Sequence, residues 1–329
     1  MPPSRWVVGV DIGGTNLEVG LVPVRGDGLV GRRSRRTRPE EGADAVVDRV
    51  VEMVREALEE LYEVEEGEAE VEGVGIGCPG PLDRAAGVVV TTPNLGWRNY
   101  PVRDRIAEAL NLPAALDNDA NCAALGEWWQ GAGQGSRVLV ALTLGTGIGG
   151  GIVVDGRVFH GVADVAGEIG HTTVNLAGRR CKCGNYGCLE AYASGPNIAQ
   201  RAVEGLESGE ESVLPELVGG ELSRISAATI SEAALQDDRY AVHVLTETAE
   251  ILGTGIANVM NLLNPDVVVI AGGVTRAGEL LFAPLRSEVR RRAFSRAVES
   301  CRIVPAGLPD SAGIVGAAAV FQQQNAGGL

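Results

Sequence analysis

Two stretches of this chain repeat one pattern: an apolar strand, a glycine turn and a second apolar strand. The first runs Val7-Val8-Gly9-Val10, then Asp11-Ile12-Gly13-Gly14-Thr15-Asn16, then Leu17 to Val22. The second runs Val138 to Leu144, then Gly145 to Gly151, then Ile152-Val153-Val154 with an Asp155-Gly156 turn behind it. Adjacent glycines bare backbone N–H groups that, with the Thr15 hydroxyl, can cradle a phosphate, and Asp11 at a strand end can reach Mg2+ through water. A plain hairpin turn gives the same spacing, so one copy alone does not decide between the two readings. Two copies predict a two-lobed internal duplication with a phosphate held between the lobes. Gly145, Gly147 and Gly150 also satisfy G-x-G-x-x-G, but that fingerprint must open a helix, and the β-branched run that follows reads as a hairpin.

The rest of the chain alternates helix and strand. Apolar residues at 46, 47, 50, 51, 54, 58 and 61 predict an amphipathic helix over 43–62. Strands are expected at 71–77, 113–116 and 267–270, and helices near 102–110, 122–129, 242–262, 276–292 and 313–323. Residues 26–42 read as exposed hairpin and loop, 197–243 as mainly helical, and Gln322 onward as frayed. Thr91 to Trp97 is expected to be a rigid loop in which Asn94 both donates and accepts hydrogen bonds. The strand at 113–116 stops at Asp117-Asn118-Asp119-Ala120-Asn121 and enters a helix, the place where open α/β sheets bind ligands. Any of Asn118, Asp119 and Asn121 suits a helix N-cap, so one can cap while another does chemistry. Gly272-Gly273, at the end of the 267–270 strand, leaves bare backbone on which a base or ribose can lie, although close helix packing explains the pair equally well.

Between Ala166 and Glu190 lie His171, Cys181, Cys183 and Cys188, with Glu168 and Glu190 at the edges. The spacing His-x9-Cys-x-Cys-x4-Cys supplies one imidazole and three thiolates, a tetrahedral set suited to a closed structural zinc site. Gly184 and Gly187 permit the turns that gather the sulfurs, which favours ligands over reduced core cysteines. Cys78, Cys122 and Cys301 are scattered and expected to be free thiols.

Composition removes several alternatives. The net charge of -15 opposes nucleic-acid binding. Lys182 is the only lysine, so a P-loop NTPase, a protein kinase and a pyridoxal enzyme all lack the lysine they need. The N-terminus carries no signal-peptide pattern and no apolar run reaches the ~18 residues of a membrane span, so a cytoplasmic location is expected.

With these residues laid out, the chain resembles the ROK family (repressor, open reading frame, kinase), in its bacterial glucokinase form. The resemblance rests on Asp11-Ile-Gly-Gly-Thr15, Asp117-Asn-Asp-Ala-Asn121, Leu144-Gly-Thr-Gly-Ile-Gly-Gly150, Glu168-Ile-Gly-His171 and Cys181-Lys-Cys-Gly-Asn-Tyr-Gly-Cys-Leu-Glu190, in family order over almost the whole chain. It implies a two-domain α/β fold of the actin-like ATPase (ribonuclease H-like) type with an interdomain cleft. The domains are expected at 1–121 plus 313–329 and at 122–312, the larger one carrying the zinc site. The implied activity is transfer of the ATP γ-phosphoryl group to glucose, with Asp119 as general base and Asn94, Asn118, Glu168, His171 and Glu190 on the sugar. ATP and Mg2+ would be held by Asp11, Gly13, Gly14, Thr15, Gly145, Thr146, Gly147, Gly272 and Gly273, and structural Zn2+ by His171 and the three cysteines. A homodimer or homotetramer is implied. Alternatives are a ROK kinase for N-acetylmannosamine, fructose or allose, polyphosphate as donor, or a sugar-sensing repressor. The repressor form carries an extra N-terminal helix-turn-helix, for which a first strand beginning near Trp6 leaves no room.

Overall fold

The computed structural model describes residues 3–65, 68–92 and 94–325. Its strands are β1 Arg5–Ile12, β2 Asn16–Pro23, β3 Val30–Arg36, β4 Glu70–Cys78, β5 Leu82–Asp83, β6 Val88–Thr92, β7 Trp97–Tyr100, β8 Ala114–Asn118, β9 Val138–Leu144, β10 Ile148–Val154, β11 Arg157–Val158, β12 Val267–Gly272 and β13 Arg302–Pro305. Its helices are α1 Ala43–Val64, α2 Val102–Leu110, α3 Asp119–Trp129, α4 Glu190–Ala193, α5 Gly195–Glu207, α6 Leu214–Leu217, α7 Ala227–Leu235, α8 Arg239–Leu263, α9 Glu279–Arg292, α10 Ser295–Ser300 and α11 Ala312–Asn325. They divide into two compact units, Met1–Gly135 with Gly151–Ala166 and Gly307–Leu329, and Ser136–Gly150 with Gly167–Ala306.

The first unit is built on a five-stranded sheet in the order β3-β2-β1-β4-β8. β1 pairs antiparallel with β2 and parallel with β4, and β4 pairs parallel with β8, so Gly77 lies opposite Asp117 and Cys78 opposite Asn118. Helices cover both faces of the central strands, which is why β1 reads as an apolar run with Val7, Val8, Val10 and Ile12 all buried. α1 presents Val46, Val47, Val50, Val54 and Leu61 to one core cluster. Fully burying such a side chain contributes about 1.5–3 kcal/mol. α11 packs on α3, β1 and β4; a Cβ on Gly316 would collide with the Cys122 carbonyl, so the two helices approach at a distance only glycine allows. α3 belongs to this unit through that packing.

In the second unit β9, β12 and β13 run parallel, with Val267 opposite both Leu139 and Arg302. β10 leaves this unit and ends in the first, where Val153 pairs with Val158 across the Asp155-Gly156 turn, both turn residues having positive φ.

Three expectations are corrected. Thr91-Thr92 and Trp97 belong to strands of a small antiparallel β5-β6-β7 sheet, with Thr92 opposite Trp97, and are not wholly loop. Gln322 is not frayed: it is 3% exposed, its amide donates to Glu72 at 3.0 Å, and α11 continues to Asn325. β8 runs two residues past Leu116, so Asp117 and Asn118 are strand residues.

Candidate active site

In the first unit the site grows from the end of β8. Asn118 caps α3, its side-chain oxygen accepting the N–H of Ala120 at 2.9 Å and of Asn121 at 3.3 Å. Asp119 is therefore the first helical residue, and its Oδ1 accepts the Ala120 N–H at 2.9 Å. Asp11, at the end of β1, shares this acidic floor. Burial pushes its carboxyl up to about 7, and the negative charges of Asp119 and Glu18 add to the shift. The first turn of α11 lies against it, since a Cβ on Gly313 would meet the Asp11 carboxylate. The turn after β1 is braced from outside: Gly13 N–H donates to Asn16 O at 2.9 Å, and the Thr37 hydroxyl donates to Gly13 O at 2.7 Å. Thr15 and Asn94 are exposed, Asn94 standing beside Gly14.

The reading of the sequence gave no role to the most heavily bonded group here. Asp117 is 1% exposed. Its Oδ1 accepts the Asn118 N–H at 2.8 Å and the Asn121 amide at 3.0 Å. Its Oδ2 lies 2.7 Å from His160 Nε2 and 3.2 Å from Arg84 Nε, and Arg84 Nη1 reaches Asp164 Oδ1 at 2.9 Å. No local spacing links positions 84, 117 and 160; only the buried carboxylate, which needs donors, hints at them.

In the second unit Gly145-Thr146-Gly147 joins β9 to β10. Gly145 N–H donates to Gly147 O at 3.0 Å and Gly195 N–H donates to Gly145 O at 2.9 Å. Glu190, the first residue of α4, accepts the Ile148 N–H at 2.9 Å on Oε2, so close to the turn that a Cβ on Gly147 would press into it. A cavity of about 620 Å³ opens beside the turn, lined by Gly145, Thr146, Pro196, Ile225, Ala228 and Gly273 among others, with mostly apolar walls. Gly272 is not on that lining; its φ of 122° and the Leu144 carbonyl against it show a close backbone packing instead.

Next to Glu190 the Cys3His set comes together. The ligand atoms of His171, Cys181, Cys183 and Cys188 all lie within 4.8 Å of one another. Cys183 Sγ is 3.7 Å from Cys188 Sγ, and Cys181 Sγ is 3.7 Å from His171 Nδ1. Zn–S bonds of about 2.3 Å would put tetrahedral sulfurs about 3.8 Å apart, so the donors fit that metal. His171 Nε2 faces the other way, 3.9 Å from Glu168 Oε2. Without a cation burial pushes the Cys181 thiol up to about 12 and raises Cys188, while the backbone N–H of Asn185 lowers Cys183.

An α/β chain of two units, each with a hairpin closed by a glycine turn, one over paired aspartates and one beside an apolar cavity, has the build of the actin-like ATPase class. The chain belongs to the ROK family, whose family model matches residues 7–324. It is 38% identical to a glucokinase of Thermotoga maritima over 326 residues, covering 99% of this chain and 100% of that one. A solved ROK family glucokinase from Streptomyces griseus, in complex with glucose and AMPPNP, superposes with a TM-score of 0.83 at 36% identity over 97% of this chain and 99% of that one. A xylose repressor of Caldicellulosiruptor bescii is 31% identical over 95% of this chain but only 77% of its own length. No helix among the described residues is long and apolar enough to cross a membrane.

Proposed function

We propose that this protein is a cytoplasmic kinase that transfers the γ-phosphoryl group of ATP to the 6-hydroxyl of glucose. The observation that carries the reading is the placement of Asp119. It opens α3 directly after the capping Asn118, in an acidic floor shared with Asp11, and the chain is similar over nearly its full length to an enzyme crystallised with glucose and AMPPNP. Asp119 accepts the hydroxyl proton as the P–O bond forms, typically contributing ~10²–10⁴-fold. Asn94, Asn118, Glu168, His171 and Glu190 are the residues proposed for the sugar hydroxyls, since a polyol needs several acceptors around its rim. Glu190 has a second duty, because one of its oxygens already holds the Ile148 N–H.

A loose phosphoryl-transfer transition state asks for alignment and backbone donors, which the turns at Gly13-Gly14-Thr15 and Gly145-Thr146-Gly147 supply without a lysine. Asp11 would hold Mg2+ through water; when bound, the ion neutralises phosphate charge. Gly273 and the apolar cavity beside the second turn suit a nucleoside, which favours ATP over polyphosphate, a donor with nothing to fill that space. Gly272 serves by letting its strand end pack on Leu144. His171, Cys181, Cys183 and Cys188 would hold zinc as scaffold, all four positions filled, with Nε2 of His171 left for the sugar.

The test is ADP release over a panel of glucose, mannose, fructose, allose and N-acetylmannosamine, with ATP and with polyphosphate. Glucose with ATP should give the highest kcat/KM; a preference for another hexose or for polyphosphate would overturn the substrate assignment.

A further inference from the structure

Asp117 divides its two oxygens between two jobs. Oδ1 holds the start of α3, through the Asn118 N–H and the Asn121 side chain. Oδ2 is hydrogen-bonded to His160 and ion-paired with Arg84, whose Nε approaches to 3.2 Å without hydrogen-bond geometry. A carboxylate is a rigid plane, so fixing Oδ2 fixes Oδ1, and with it the peptide that leads into the Asn118 cap and Asp119. The two outer partners come from segments remote in sequence. Arg84 follows β5, and His160 lies in the stretch after β11. That stretch is tied twice more, by Arg84 to Asp164 and by Ala166 N–H to His160 O at 3.1 Å. A buried carboxylate with one donor removed keeps its desolvation cost and loses its restraint.

We propose that His160, backed by Arg84, is a positioning residue for phosphoryl transfer: acting through Asp117, it sets the orientation of Asp119 without touching the sugar. The proposal rests on Asp119 being the base. Small misplacements of a reacting group cost about 10²-fold in rate, so the clamp has a measurable target.

The experiment compares His160→Leu with His160→Gln in the full chain, reading kcat, glucose KM, glucose Kd and Tm. Gln keeps an N–H that reaches Oδ2, and Leu keeps bulk alone. His160→Leu should lower kcat about ten- to a hundredfold, with a smaller change in glucose Kd, and His160→Gln should recover most of it. Should His160→Leu not fold, His160→Asn, whose amide falls short of Oδ2, carries the same expectation. In an Asp119→Asn background the same substitution should cost little more, because both act on one step. A kcat within about twofold of wild type for the Leu variant, a Gln variant as impaired as Leu, or full additivity with Asp119→Asn would each overturn the clamp. Near-normal kcat for Asp119→Asn alone would instead refute the base assignment, a result the His160 pair does not share.

Discussion

The two glycine turns share a backbone and differ in everything around it. The turn at Gly13-Gly14-Thr15 follows Asp11, whose carboxyl is pushed up to about 7 by burial first and by the charge of Asp119 second. The turn at Gly145-Thr146-Gly147 is braced by Glu190 from the cysteine module and opens beside an apolar cavity of about 620 Å³. A bare loop of N–H groups says only that an anion can sit there. Under the proposed function the first turn would serve phosphate and metal, and the second, beside the cavity, a nucleoside.

The largest effect belongs to the first unit: Asp119→Ala should lose ~10²–10⁴ of kcat while calorimetry still detects glucose binding, and near-normal turnover would remove Asp119 as the base. In the second unit, Gly147→Ala drives a methyl toward the Glu190 carboxylate, and should raise the ATP KM by about tenfold or more with a smaller change in glucose KM. An unchanged ATP KM would separate this turn from the nucleotide.

Cys183→Ser comes next. Metal analysis of the wild type should find one zinc per chain and the variant should lose it, with stability and glucose KM damaged before kcat. A fully active wild-type preparation without zinc would sink the ligand assignment. The smallest effect is one of stability. Asp11 has a folded pKa raised from 3.8 to about 7, so its stability contribution is fully present below 3.8 and is lost as pH rises through about 7. Asp11→Asn should therefore raise Tm by a few degrees at pH 8 in the absence of Mg2+, and by less at pH 5, while impairing turnover. A Tm gain independent of pH would contradict the burial of that carboxyl.

Much of this was legible because the signals are local. The paired hairpins, the 3.6-residue periodicity of α1 and the His-x9-Cys-x-Cys-x4-Cys spacing each lie within one short window, and the structure brings each together as spaced. What escaped the sequence was carried by distant partners. Gln322 looks like a frayed polar end until Glu72 meets it. His160 carries no local signature in the sequence until the end of β8 places Asp117 against it. β6 and β7 were obscured because Asn94 and Gly96 stand in the turn between them, and β13 because a four-residue strand ending in Pro305 offers almost no period to read.

Under the proposed function the phosphoryl group goes to a sugar hydroxyl and not to water. Phosphorus NMR of the products formed from ATP, Mg2+ and glucose tests it most directly. Glucose 6-phosphate and ADP should appear in equal amounts, with no ADP formed when glucose is left out. ADP accompanied by free phosphate, or turnover that does not require the sugar, would contradict it.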